Sequence, residues 1–201
     1  LYLAQFALAG LVGVALRLGA DHTLQRLARS PVEARAAPDL RARVFRGWLT
    51  VWAGAFLLAL AAAFAGALAD SRWGWTILAG TLFGLSRMTG FYLRARRRPR
   101  PVPIFDPPFM HLFGVGLLCL GAGPDLAMGA GTVLWLLVGA AVFVRTMGRD
   151  AVRRIARAPG LLRWRSRRLG AVAAGYLLEI GFGSGVYLLI QGLHGPAALA
   201  Q

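Results

Sequence analysis

The sequence contains a single cysteine, Cys119, which lies within an apolar run. One cysteine excludes a disulfide framework and a thiolate metal site within one chain. Lysine and asparagine are absent, so all 23 basic residues are arginine, and only 8 residues are acidic. Arginine in place of lysine is typical of GC-rich coding DNA, and we therefore expect the chain to come from a GC-rich bacterium.

Long polar stretches are also scarce. The 201 residues are 57% hydrophobic, whereas soluble domains are about 45–50% apolar. A helix needs about 20 apolar residues to cross a bilayer. Five stretches approach or exceed that length and one is shorter: residues 2–19, 47–69, 73–93, 108–121, 126–144 and 169–193. We predict an all-α fold, a polytopic membrane protein with about six transmembrane helices in one bundle.

The arginines between these helices indicate the orientation. They fall almost wholly in three predicted loops, at 20–46, 94–107 and 145–168, while Arg72 lies in a loop on the opposite side. Cytoplasmic loops of membrane proteins are enriched in Arg and Lys. We therefore expect one transmembrane domain over 1–201 with these three loops in the cytoplasm. Both termini would then be on the non-cytoplasmic side of the bacterial cytoplasmic membrane.

The net charge of +15 raises the question of an anionic partner. Arginines confined to the loops of a membrane protein favour anionic lipid headgroups, with a gain of about 1 kcal/mol for each Arg near the surface. We expect these headgroups as partners and no nucleic acid.

Small residues at helical spacing predict where helices pack. Ala55, Ala59, Ala63 and Ala67 recur every four residues, and Ala9 with Gly13 forms a shorter face of the same kind. Small faces let two backbones approach closely inside a membrane. The neighbour is a helix of the same chain, of another membrane subunit or of a second copy.

Two local predictions concern the cytoplasmic interface. Five prolines between residues 99 and 108 block a regular α-helix, so we expect an extended segment lying along that interface. Trp48 and Trp52 are predicted to mark the same level, because tryptophan is enriched at membrane–water boundaries. Within 20–46, two short amphipathic surface helices or a plain solvated loop both fit the pattern.

Ionisable residues within predicted spans are the candidates for function, since a charge inside a bilayer is costly. Glu179 lies about 16 Å from the cytoplasmic end of its helix, so we expect it to be protonated, reached by water, or paired, with Arg87 favoured over Arg17. In this topology Arg17, Arg87, Asp106 and His111 all project toward the cytoplasmic half. Together with Glu179 they form the predicted ligand or ion site. The alternative is a structural ion pair that binds no ligand.

No catalytic or cofactor motif accompanies these residues. The chain has neither a GxxxxGK[ST] phosphate loop nor an HExxH pair, and no spacing predicts a metal site. A haem held by two histidines would need His22 and His111 to converge, because His194 is predicted on the other side. The cofactor is therefore left unassigned.

The segment from Gly10 to Arg17 has the pattern GxxGxxxR and resembles the first helix of small fluoride channels. Those channels carry an asparagine in the second helix, and this chain has none. Their third-helix Thr-Thr-Phe-Ser-Thr is replaced here by the residues from Ser86 to Gly90. We therefore assign the chain to no family.

The sequence leaves three functions open. We expect a small transporter or channel-like protein that handles an ion or small anion through the polar site in the cytoplasmic half. The first alternative is a non-catalytic transmembrane subunit of a larger membrane complex. The second is a lipid-modifying enzyme that uses His111 with Asp106 or Glu179. Because no catalytic motif is present, we favour a non-enzymatic function.

Overall fold

The computed structural model describes residues 2–17, 20–29, 39–68 and 73–160. Within them the chain forms seven α-helices, one 3-10 helix and no strand, so the all-α prediction is confirmed for this part of the chain. The helices are α1 (Tyr2–Ala15), α2 (Ala20–Arg29), α3 (Leu40–Leu68), α4 (Trp73–Ala95), the 3-10 helix Val102–Phe105, α5 (Pro107–Cys119), α6 (Pro124–Met147) and α7 (Arg149–Arg157). The predicted span at 169–193, with Glu179, lies outside the described residues.

Two of the described helices are long and apolar enough to cross a membrane. The stretches are Leu40–Ala65, with mean hydropathy 1.9, and Leu126–Met147, with mean hydropathy 2.1. Only 17% and 33% of their most apolar windows are buried by the protein, whereas the core helix of a soluble protein would be mostly buried. Large apolar side chains such as Leu58 and Leu137 are exposed instead, at 74% and 63%.

Helix α4 lies at the centre of the bundle. It packs against α1, α2, α3, α6 and the 3-10 helix. Phe83, Met88 and Leu93 along it are almost completely buried. Two ring contacts show how α6 runs relative to α4. Phe83 packs on Trp135 of α6, and Tyr92, further along α4, packs on Phe143, further along α6. Helices α4 and α6 therefore run in the same direction.

Glycines allow α1 and α4 to approach closely. A Cβ added to Gly80 would lie 2.6 Å from the Val12 Cβ and 2.8 Å from the carbonyl oxygen of Ala9. Gly13 faces Gly84 in the same way, since an added Cβ would be 3.1 Å from the Gly84 nitrogen. The prediction that Ala9 and Gly13 form a packing face is confirmed, and the neighbour is α4.

The alanines of α3 form the second close contact. Ala59 is 5% exposed and Ala63 is fully buried. A Cβ on Gly74 of α4 would lie 2.6 Å from the Ala63 Cα. The alanine face is therefore confirmed at these two positions, which are buried within the bundle, with Ala63 against α4.

The arginine-rich segments of the described chain meet at one end of the bundle, which we call the basic end. The start of α3, the end of α4 and α7 share one buried cluster there, with Phe45, Tyr92 and Ile155 among its members. Gly148 has a φ of 79°, a left-handed conformation that favours glycine, and it separates α6 from α7. As a result α7 packs across the basic end with Ile155 buried.

The start of α3 differs in part from its prediction. Trp48 is 2% exposed, and its Nε1 donates a hydrogen bond to the carbonyl of Leu16 at 2.8 Å; that Trp48 and Trp52 mark the interface level stays a prediction. The last carbonyls of a helix lack intrahelical partners, so this indole satisfies the end of α1. Residues 40–46 form the first turns of α3 and not a separate surface helix, whereas α2 is an amphipathic helix with Leu24 and Leu27 buried.

The proline-rich stretch is not extended along an interface. It forms a 3-10 helix whose Phe105 packs between α4 and α6, where an added Cβ on Gly90 or Gly139 would lie 3.2 Å from it. The Ser86 hydroxyl donates to the carbonyl of Phe105 at 3.3 Å, and the Trp135 indole donates to the carbonyl of Ile104. Irregular backbone needs such partners wherever water is excluded.

This return of the chain into the bundle explains the short helix that follows. Trp135 lies near the middle of the 24 residues of α6, so the 3-10 helix reaches well below the basic end. Helix α5 begins from that depth and has only 13 residues. A helix of this length is about 20 Å long, short of the roughly 30 Å of a bilayer core.

Candidate functional site

Three charged residues form the centre of the candidate site. The Arg87 Nη1 of α4 donates a hydrogen bond to the Oδ1 of Asp106, which immediately precedes α5. The Arg94 Nη2 lies 3.8 Å from the other carboxylate oxygen, Oδ2. One carboxylate therefore bridges two arginines that are two helical turns apart on α4. The return of the proline-rich stretch into the bundle brings Asp106 to this position.

A single aromatic ring joins these arginines to a third. The ring of Phe91 has the guanidinium carbon of Arg87 at 5.9 Å, that of Arg94 at 5.4 Å and that of Arg17 at 5.8 Å from its centre. Positions 87, 91 and 94 share one face of α4, since residues three and four apart are neighbours on a helix. A cation within about 6 Å of an aromatic face is attracted by it.

The third arginine has its own carboxylate. The Arg17 Nη1 donates to the Oδ2 of Asp21 at 3.2 Å, and the Asp21 side chain is fully buried. Asp21 lies in the first turn of α2, where the helix dipole stabilises a negative charge. The backbone N–H of His22 also donates to Asp21, at 3.0 Å. This ion pair joins the end of α1 to the start of α2.

We call Arg17, Asp21, Arg87, Phe91, Arg94 and Asp106 the Phe91 cluster. Among its described members, three guanidinium groups meet two carboxylates, so one positive charge is left over. The exposed fraction rises from 5% at the Arg17 side chain to 34% at Arg87 and 46% at Arg94. The cluster is therefore buried at one side and open to solvent at the other.

The structure brings together three of the five predicted site residues. Arg17, Arg87 and Asp106 meet around Phe91, as described above. His111 lies in α5, but its side chain is not among those described. Glu179 is outside the described residues, so its predicted pairing with Arg87 stays a prediction. The described partner of Arg87 is Asp106.

Sequence reasoning missed three members of the cluster. Asp21 follows Arg17 at the i, i+4 spacing typical of helical ion pairs, which was a usable signal. Phe91 and Arg94 share a face with Arg87, but their role depends on α1 and Asp106 coming close. No local pattern indicates that contact.

The described side chains contain no group of three or more His, Cys, Asp or Glu residues that could hold a metal ion. The arginines and carboxylates of the Phe91 cluster supply ion pairs and hydrogen bonds. Arginine groups are permanently charged donors that suit carboxylate and oxyanion ligands.

Comparison with known proteins gives no match. No family model, no curated protein and no solved structure resembles this chain closely enough to assign it.

Proposed function

We propose that the chain is a small integral membrane protein that moves a small anion, as a transporter or channel, through the Phe91 cluster. The observation that carries the proposal is the convergence of Arg17, Arg87 and Arg94 on one ring at 5.4 to 5.9 Å. Rings of Arg and Lys are used by anion-selective pores. Here three arginines from two elements face two carboxylates.

The three arginines of the cluster differ in exposure, from buried Arg17 to exposed Arg94. An anion entering from the basic end would first reach Arg94, the most exposed of the three, and next Arg87. At that point it competes with Asp106, which is itself an anion held by both arginines. Exchange of the bound carboxylate for the incoming anion keeps both guanidinium groups paired. The displaced Asp106 carboxylate, whose side chain is 31% exposed, is then hydrated by solvent.

The same proposal places the bundle in a membrane. Helices α3 and α6 cross the bilayer as two of about six spans, with their exposed apolar side chains against lipid. The basic end faces the cytoplasm, in agreement with the distribution of arginine in membrane proteins. The α7 arginines would then contact anionic lipid headgroups of the bacterial cytoplasmic membrane.

A second candidate is a non-catalytic subunit of a larger membrane complex. Leu57, Leu58 and Phe64 of α3 are 64%, 74% and 59% exposed, and such a face suits another apolar helix as well as lipid. In that case the ion pairs of the Phe91 cluster only lock the bundle. The lipid-modifying alternative gains no support, because Asp106 is bound to two arginines.

Anion flux distinguishes these functions. The purified full-length chain is reconstituted into phosphatidylcholine vesicles loaded in turn with chloride, nitrate and formate, and efflux is followed with ion-selective electrodes. We expect at least one anion to leave faster than from empty vesicles. Arg87→Gln/Arg94→Gln should slow it about tenfold or more, because each charge-assisted hydrogen bond contributes about 1.5–3 kcal/mol.

Arg98→Gln/Arg100→Gln is the matched control. It removes the same charge from exposed arginines at the same end, and we expect it to keep the wild-type rate. Equal loss in both variants would contradict a specific site. If none of the three anions leaves faster than from empty vesicles, the transport proposal is wrong and the subunit function is favoured.

A further inference from the structure

A second arginine cluster lies at the basic end, on a different face of α4. Phe45 of α3 stacks on Tyr92 of α4, with ring centres 4.6 Å apart and planes 24° apart. Arg41 is one turn before Phe45, and Arg96 is one turn after Tyr92. Because α3 and α4 are antiparallel, both arginines lie just beyond the aromatic stack on the side of the basic end.

A third element adds to this cluster. Ile155 of α7 belongs to the same buried cluster as Phe45 and Tyr92, and Arg154 lies next to it in the chain. Arg41, Arg96 and Arg154 are near enough to the Tyr92 phenol for their charges to act on it, and so is the Asp39 carboxylate. The start of α3, the end of α4 and α7 therefore each bring an arginine to the edge of the same buried cluster.

Positive charge at this edge exceeds the negative charge supplied by the described residues. Arg96 and Arg97 add like charge near Arg41. Its Nη2 donates to the carbonyl of Leu27 at 3.0 Å, which holds the guanidinium group against α2. Its Nε is buried and has no hydrogen-bond partner among the described residues. An anion bound here would relieve the repulsion between these arginines and could accept a hydrogen bond from the Arg41 Nε, so its binding is favoured.

We propose that Arg41, Arg96 and Arg154, above the Phe45–Tyr92 stack, form a binding site for a phosphate group. A phosphate offers several acceptor oxygens to donors that arrive from different directions, and arginine binds it with two parallel hydrogen bonds. We call this group of five residues the Tyr92 site. It is separate from the Phe91 cluster and does not depend on anion transport.

Two sources of phosphate share this chemistry: the headgroup of an acidic phospholipid and soluble phosphate. The test measures the unfolding temperature of the purified full-length chain in a neutral detergent at constant ionic strength. The probes are inorganic phosphate, dioctanoyl phosphatidic acid and, as a zwitterionic control, dioctanoyl phosphatidylcholine. A ligand that binds only the folded state raises this temperature.

We expect phosphatidic acid to raise the unfolding temperature and phosphatidylcholine to leave it unchanged. A rise with inorganic phosphate as well means that the phosphate group alone is sufficient for binding. A rise with phosphatidic acid alone assigns the site to a lipid. In Arg41→Gln/Arg96→Gln the apparent affinity should fall about tenfold or more, since charge-assisted hydrogen bonds are lost.

Two controls separate this site from general charge and from the Phe91 cluster. Arg98→Gln/Arg100→Gln removes equal charge nearby and should keep the response. Arg87→Gln/Arg94→Gln, which we expect to lose anion flux, should also keep it. If Arg41→Gln/Arg96→Gln does not fold, Arg154→Gln, on the exposed side of α7, is tested in its place. Its apparent affinity for phosphatidic acid should also fall. The proposal is wrong if neither phosphate probe raises the wild-type unfolding temperature. It is also wrong if Arg98→Gln/Arg100→Gln loses as much apparent affinity as Arg41→Gln/Arg96→Gln.

Discussion

The close contact between α1 and α4 gives the sharpest test of the packing. In Gly80→Ala the new Cβ would lie 2.6 Å from the Val12 Cβ and 2.8 Å from the carbonyl oxygen of Ala9. Ordinary carbon–carbon contacts are about 3.5–4.0 Å, so the two helices must separate by about 1 Å. The Ala9 oxygen belongs to the backbone and cannot move unless α1 moves as a whole.

The expected cost follows from two opposing terms. Overpacking of a well-packed contact costs about 1–3 kcal/mol, and replacing Gly by Ala inside a helix returns up to about 1 kcal/mol. We expect a net loss of about 1–2 kcal/mol in the free energy of unfolding. For a chain of this size that is a fall of about 2–8 °C in the unfolding temperature.

Gly10→Ala is the matched control, because a Cβ at Gly10 meets nothing within 4 Å. It should leave the unfolding temperature unchanged or raise it. Both variants are measured in detergent by the loss of helical circular dichroism. A Gly80→Ala protein as stable as the wild type, or equal destabilisation by Gly10→Ala, would refute the proposed α1–α4 contact.

Three further substitutions test other contacts by the same thermal unfolding. Ala63→Leu should cost about 1–3 kcal/mol through overpacking, whereas Ala61→Leu, at an exposed position, should not; equal effects would contradict the buried face. Trp135→Phe leaves the carbonyl of Ile104 without its indole donor and should cost about 1–3 kcal/mol; an unchanged unfolding temperature would count against this hydrogen bond. Arg97 has a φ of 57°, so Arg97→Gly should be neutral or stabilise by up to about 1–2 kcal/mol, and a clear loss of stability would contradict the left-handed backbone.

Packing faces made of small residues could be predicted because their requirement is local. Ala59 and Ala63 must be small whichever helix they meet, so their spacing identifies the face before the partner is known. The same holds for Ala9 and Gly13. Clusters of arginine similarly identify the ends of helices, since each charge must remain hydrated or paired.

Features that depend on distant residues could not be predicted. Tryptophan suits both an interface and a core, and Trp48 is in the core because the carbonyl of Leu16 is there to accept its N–H. Proline excludes an α-helix but permits a 3-10 helix, and the return of that segment into the bundle needs the space left by Gly90 and Gly139. The Arg87–Asp106 pair depends on this return.

We propose that the bundle crosses a membrane with its basic end in the cytoplasm. In a Cys119→Ser background a single cysteine is introduced either by Gly123→Cys, in the turn before α6, or by Arg98→Cys at the basic end. Both positions are exposed, and a Cβ at Gly123 meets nothing within 4 Å. Intact cells are treated with a maleimide that cannot cross membranes. We expect labelling at position 123 in intact cells, and labelling at position 98 only after the membrane is opened. Labelling of both positions in intact cells, or of neither, would contradict it.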